Sequence, residues 1–135
     1  MTEISIWTRV SCEDLPELIR FYRSNFYVNQ YRMDEPSRRA YFKNFMDNAI
    51  DIIGDKYGYE NLHEKQIGQN HIFTLMNKYK KQFDIGTACL SPKDKYDCDF
   101  GRFLAFARMI DAINDGYTYS SCVAFLREAM PEFFD

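Results

Sequence analysis

Apolar side chains recur along this chain at two periods, and the change from one to the other predicts its elements. Leu15, Leu18, Ile19, Tyr22 and Phe26 follow helical spacing and predict a first helix over 12–27. Ser11 with Asp14 resembles a capping box at its start, and Pro16 falls in the first turn, where a missing N–H costs little. Pro36, after two acidic residues, opens a second helix. Phe42, Phe45, Met46, Ala49, Ile50, Ile53 and Tyr57 share one face of it, with Lys56 in the last turn and Gly58 as the stop. A two-residue alternation over 2–8, carried by Ile4 and Ile6, predicts a strand.

The polar stretch 59–70 reads as a long connection. Strands follow over 71–76 and 83–90, joined by the basic segment Asn77-Lys78-Tyr79-Lys80-Lys81 as their turn, although 70–83 can also be drawn as a helix. Asp97 or Asp99 caps a third helix that runs to about Asn114 and stops at Gly116. A short last helix, 122–130, begins after Ser120 or Ser121 and ends at Pro131. The expected fold is a single α+β domain over 1–135, a small antiparallel sheet of about three strands packed by about four helices.

Composition narrows the function classes. At 135 residues the chain can bury a core without metal or disulfide staples, and 46% hydrophobic with 27% charged residues is globular composition. The net charge of −3 argues against bulk electrostatic binding of nucleic acid. No apolar run suits a membrane span and no signal-peptide core precedes the first element, so cytoplasm is the expected compartment. Cys12, Cys89, Cys98 and Cys122 match no zinc spacing, and all four are expected as reduced thiols.

Catalytic signatures are missing from the pattern. The glycines form no phosphate loop, and His63 and His71 lack a helical metal-ligand pairing. Asp94, Asp97 and Asp99 before Gly101 hint at a calcium loop, but the spacing fails and they read as turn and cap residues. The span Ile4 to Tyr22 superficially resembles the opening of acetyltransferases, yet Gln66-Ile67-Gly68-Gln69 cannot replace that family's pyrophosphate turn. No catalytic residue, cofactor or metal is expected.

Two surfaces remain as binding candidates. Asp47, Asp51 and Asp55 repeat every four residues opposite the core face of the second helix, with Glu60 and Glu64 extending the strip. Like charges at this spacing oppose helix formation, and their rise of about 6 Å per step is close to phosphate spacing along a nucleic-acid strand. Tyr22, Tyr27 and Tyr31, among Arg20, Arg23, Arg32 and Met33, give an interface-like composition. On the third helix, apolar side chains from Phe103 to Ile113 cover roughly 220° of the wheel, more than an outer helix needs, which suggests cover by the last helix or by a second copy in a homodimer. Lys78, Tyr79, Lys80 and Lys81 form the alternative, a basic hairpin that contacts nucleic acid.

Ala88, Cys89, Pro92, Asp94, Tyr96, Asp97, Gly101, Ala105 and Arg108 make up a strand-end, turn and helix pattern over Gly86 to Ala112. It resembles small uncharacterised proteins of bacteriophages and prophages. The resemblance implies an accessory protein that binds and inhibits a host protein; no membrane partner is expected, since no apolar run suits a span. A nucleic-acid-handling defence factor fits as target, because an acidic strip can occupy a basic groove.

Overall fold

The computed structural model describes residues 6–29, 34–88 and 98–116. Three α-helices and three strands are placed there: α1 (Leu15–Asn29), α2 (Glu35–Tyr57), β1 (Leu62–Ile67), β2 (Asn70–Asn77), β3 (Gln82–Ala88) and α3 (Cys98–Asp115). The sheet is antiparallel in the order β1-β2-β3, so the class is α+β as expected. The last helix, expected over 122–130, lies outside the described residues.

Local chemistry sets the boundaries. The Asp14 carboxylate accepts from the Ser11 N–H at 3.0 Å and from its hydroxyl at 3.1 Å, which closes the turn leading into α1. Asp34 caps α2 by accepting from the Ser37 N–H at 2.8 Å, and Pro36 follows in the first turn, where its fixed φ suits the helix. Gly58 ends α2 at φ +97°, with its N–H on the Gly54 carbonyl at 2.8 Å. The hairpin between β2 and β3 is organised by Asn77, whose Oδ1 accepts from the N–H groups of Tyr79 at 3.1 Å and Lys80 at 3.3 Å. Its Nδ2 donates to the buried Asp84 at 2.9 Å, and Gln82 donates to the other Asp84 oxygen at 3.0 Å.

Two elements differ from expectation. Ile6–Arg9 is a 3-10 turn, not the end of a strand, and it carries Trp7 to Tyr22 and Phe45 at ring separations of 6.4 and 5.7 Å. Residues 2–5 lie outside the described set. The third strand of the sheet is instead β1, inside the stretch read as a polar connection. Nearly every β1 side chain is exposed, so it shows no apolar alternation.

The second difference concerns α3. It lies at the centre, between the sheet and the α1–α2 pair, and that position accounts for its broad apolar arc. On one side Phe106 meets Phe73 of β2 at 5.4 Å, and the α3 backbone at Ala105, Arg108 and Met109 rests against Gly86 of β3. On the other, Phe103 meets Phe42 and Phe45 at 5.0 and 5.3 Å, while Phe100 stacks on Phe26 at 4.8 Å. The arc expected to need a last helix or a second copy is buried, over the described residues, against β2, β3, α1 and α2. Phe42, Phe45 and Ile53 are buried as read, and Ile50 is half-buried.

Candidate functional site

Helix α2 turns its inner face to α3 and leaves Asp51 and Asp55 exposed on the opposite side, with Asp47, also exposed, on the flank nearer α3. The three carboxylates are not equivalent. Asp47 accepts from Lys43 Nζ one turn earlier at 2.9 Å, an exposed pair of small energetic weight. Asp51 and Asp55 have no described cation partner and share the hydroxyl of Tyr59, which stands 3.1 Å from Asp51 Oδ1 and 3.3 Å from Asp55 Oδ1. One hydroxyl proton serves one carboxylate at a time, so the two acids alternate as acceptor.

Gly54 makes this arrangement possible. A Cβ there would stand 2.5 Å from Tyr59 Cδ1 and 2.8 Å from its Cζ, so the ring lies directly on the helix backbone. Tyr59 is itself 52% exposed. Its phenol is pushed up to about 12, first by desolvation against α2 and then by bonding to and repulsion from Asp51 and Asp55. The sequence reading missed Tyr59. Its signal was an aromatic residue placed just past the helix stop, five positions after a mid-helix glycine.

The acids expected to lengthen the strip do not join it. Glu60 pairs with Lys78 at 3.5 Å, and Glu64 takes a two-pronged bond from Arg102 at 2.6 and 2.8 Å. That guanidinium also sits 5.9 Å over the Phe73 ring, so it ties β1 to α3 across the sheet. Beside it, a cleft of about 250 Å³ opens between α2 and α3, rimmed by Arg39, Lys43, Asp47 and Asp99.

The tyrosine patch divides. Tyr22 is in the core, 4.8 Å from both Tyr41 and Phe45, with its own carbonyl accepting from the Tyr41 hydroxyl at 2.9 Å. It presents no surface to a partner, because its ring completes the helical face that packs on α2. Tyr27 is exposed at the α1–α3 seam, edge-on to Phe100 at 5.8 Å. Tyr31 lies outside the described residues.

The basic hairpin is largely engaged within the chain. Lys78 pairs with Glu60, and Lys80 Nζ donates to the Ile113 carbonyl near the end of α3, where a cation offsets the helix dipole. Lys81 occupies the left-handed turn position at φ +54°, and Tyr79 remains exposed. Two of the three lysines thus have partners within the chain.

Cys12 and Cys98 are free thiols, while Cys89 and Cys122 lie outside the described residues, as do Asp94 and Asp97. Among the described residues no group of three His, Cys, Asp or Glu side chains could hold a metal ion, and no helix is long and apolar enough to cross a membrane. No family model, curated protein or solved structure matches the chain.

Proposed function

We propose that this chain is a non-enzymatic accessory protein of the phage type that acts in the host cytoplasm. It lays the outer face of α2 into a basic groove of a host protein that handles nucleic acid, and so blocks that groove. The observation that carries this reading is the Asp51–Tyr59–Asp55 arrangement. Two exposed carboxylates without a described cation partner are held at the rise of one helical turn by a hydroxyl between them. Such an array meets lysines and arginines with little side-chain ordering left to do, which favours binding. Asp47, tethered to Lys43, continues the ridge by one turn.

Purified chain added to a bacterial extract should inhibit cleavage of linear DNA, and excess DNA should relieve the inhibition by competing for the groove. Asp47→Lys, Asp51→Lys and Asp55→Lys together should abolish inhibition while the fold persists, since all three side chains are exposed. Inhibition should also weaken with salt, because exposed charges are screened beyond roughly 8 Å at physiological ionic strength. A triple variant as potent as the original would overturn the reading.

A further inference from the structure

The sheet has two faces, and the described helices occupy one of them. His71 and Phe73 of β2, Gly86 of β3 and Glu64 of β1 all meet α3. Side chains alternate between the faces along a strand, so Ile72, Thr74, Ile85 and Thr87 turn the other way. That second face is closed to water: Ile72 and Thr87 are 0% exposed, Thr74 1% and Ile85 5%. The apolar cluster between the sheet and the helices takes in Phe73, Leu75 and Ala88, but neither isoleucine belongs to it. A second, smaller core therefore lies behind the sheet, and none of the described helices covers it. Its cover stops short of β1, where His63, Lys65 and Ile67 are all exposed on the same face. It lies over β2 and β3 alone.

We propose that the second face of the sheet is the docking surface of residues 117–135, which lay Val123, Leu126 and Met130 over Ile72 and Ile85. The spacing of three and four between those side chains is that of a single helix face. Helix α3 ends beside β3, where Gln82 donates to the Gly116 carbonyl at 3.5 Å and Lys80 to that of Ile113. Because β3 is an edge of the sheet, the chain beyond Gly116 has one strand to round. Residues 117–121 can reach about 17 Å, more than the roughly 10 Å between packed layers. The other stretches outside the described residues make poorer covers. Residues 1–5 join Ile6–Arg9, whose Trp7 packs on Tyr22 and Phe45, so α3 and the sheet stand between them and this face. Residues 30–33 connect α1 to α2 on that same far side. Residues 89–97 are tied at both ends, to Ala88 and Cys98, and carry Lys93, Asp94, Lys95 and Asp97. The apolar arc of α3 is already buried, so it makes no claim on the same side chains.

The test uses the full chain with its isoleucine, leucine and valine methyls labelled for nuclear magnetic resonance. Overhauser contacts should run from the Ile72 and Ile85 methyls to those of Val123 and Leu126 within one molecule. Contacts to Leu90 in their place would assign the cover to residues 89–97 and overturn the proposal. Contacts seen only between differently labelled copies in a mixed sample would assign it to a second copy, with the same result. So would the absence of any contact from either isoleucine to residues 117–135. A second measurement needs no assignment: Leu126→Asp should uncover the face and raise the fluorescence of an apolar-surface dye several-fold. A dye signal equal to that of the original chain would place Leu126 in solvent and overturn the proposal. Neither readout involves the acidic face of α2, so this inference and the proposed function can fail separately.

Discussion

Gly86 of β3 lies so close to Ala105 of α3 that a Cβ on the glycine would collide with the Ala105 carbonyl oxygen. The Met109 nitrogen blocks the same space, and the Arg108 carbonyl carbon is 2.8 Å away. Backbone meets backbone here, with no flexible side chain to yield. Gly86→Ala should therefore destabilise the protein by about 3 kcal/mol, the upper end for overpacking. Urea unfolding reads this directly, and an unchanged midpoint would mean that α3 does not rest on β3.

Phe45 joins both halves of the core, touching Trp7 and Tyr22 on one side and Phe103 and Phe106 on the other. It is fully buried, so Phe45→Ala should cost about 3–5 kcal/mol. A melting temperature equal to that of the original chain would place the α2 core face wrongly.

His71 is buried on β2 against Gly101, where a Cβ would stand 3.0 Å from the imidazole Cδ2. Burial lowers its pKa, Glu64 opposes that shift and Arg102 adds to it. The folded state thus binds its proton less readily than the unfolded chain. The stability this provides is complete above the unfolded value of about 6.5 and is lost as pH falls below it toward the folded pKa. Urea midpoints should drop between pH 7 and 5, and His71→Gln should flatten that decline. An equal slope in the variant would remove His71 as its source.

Tyr59 should be separable from most of the other tyrosines by ultraviolet titration. Its phenol should ionise near 12, and Asp51→Asn with Asp55→Asn should bring it back toward 10, the ordinary tyrosine value. A tyrosine spectrum unchanged by that double substitution would show that the hydroxyl does not lie between the two carboxylates.

Cys98 is exposed at the start of α3, whereas Cys12 is half-buried with its thiol directed to the Ile52 carbonyl at 3.7 Å. Burial pushes the Cys12 pKa up, which lowers its thiolate fraction. Alkylation followed by peptide mapping should find Cys98 modified well before Cys12. The reverse order would contradict the placement of both.

The sequence made α2 and the hairpin legible for identifiable reasons. Asp34, Pro36 and Gly58 punctuate α2 with local chemistry that needs no tertiary partner. In β2, Ile72 and Thr74 are buried on the face opposite Phe73 and Leu75, so the strand reads as a continuous run. β1 escaped detection because both of its faces are largely exposed, and period is a signal only where one face is buried. The N-terminal alternation misled because Trp7 enters the core from a 3-10 turn, which a two-residue period cannot express. The Tyr22 burial was hidden for another reason: helical spacing already put it beside Phe26, and its aromatic composition suggested an interface instead. At the candidate site, the acids were visible as a repeat, but the tyrosine that links them belongs to the next element.

The central position of α3 has a consequence for synthesis. Residues 98–116 form the last of the described elements, yet they supply the surface on which α1, α2, β2 and β3 all pack. A ribosome working at roughly 5–20 residues per second leaves the earlier elements without that surface for several seconds after α2 has emerged. During this interval Phe42, Phe45 and Phe73 lack the α3 rings they pack against. A nascent chain stalled before Cys98 should accordingly stay protease-sensitive and bind holding chaperones, and cooperative folding should begin only once α3 has cleared the exit tunnel.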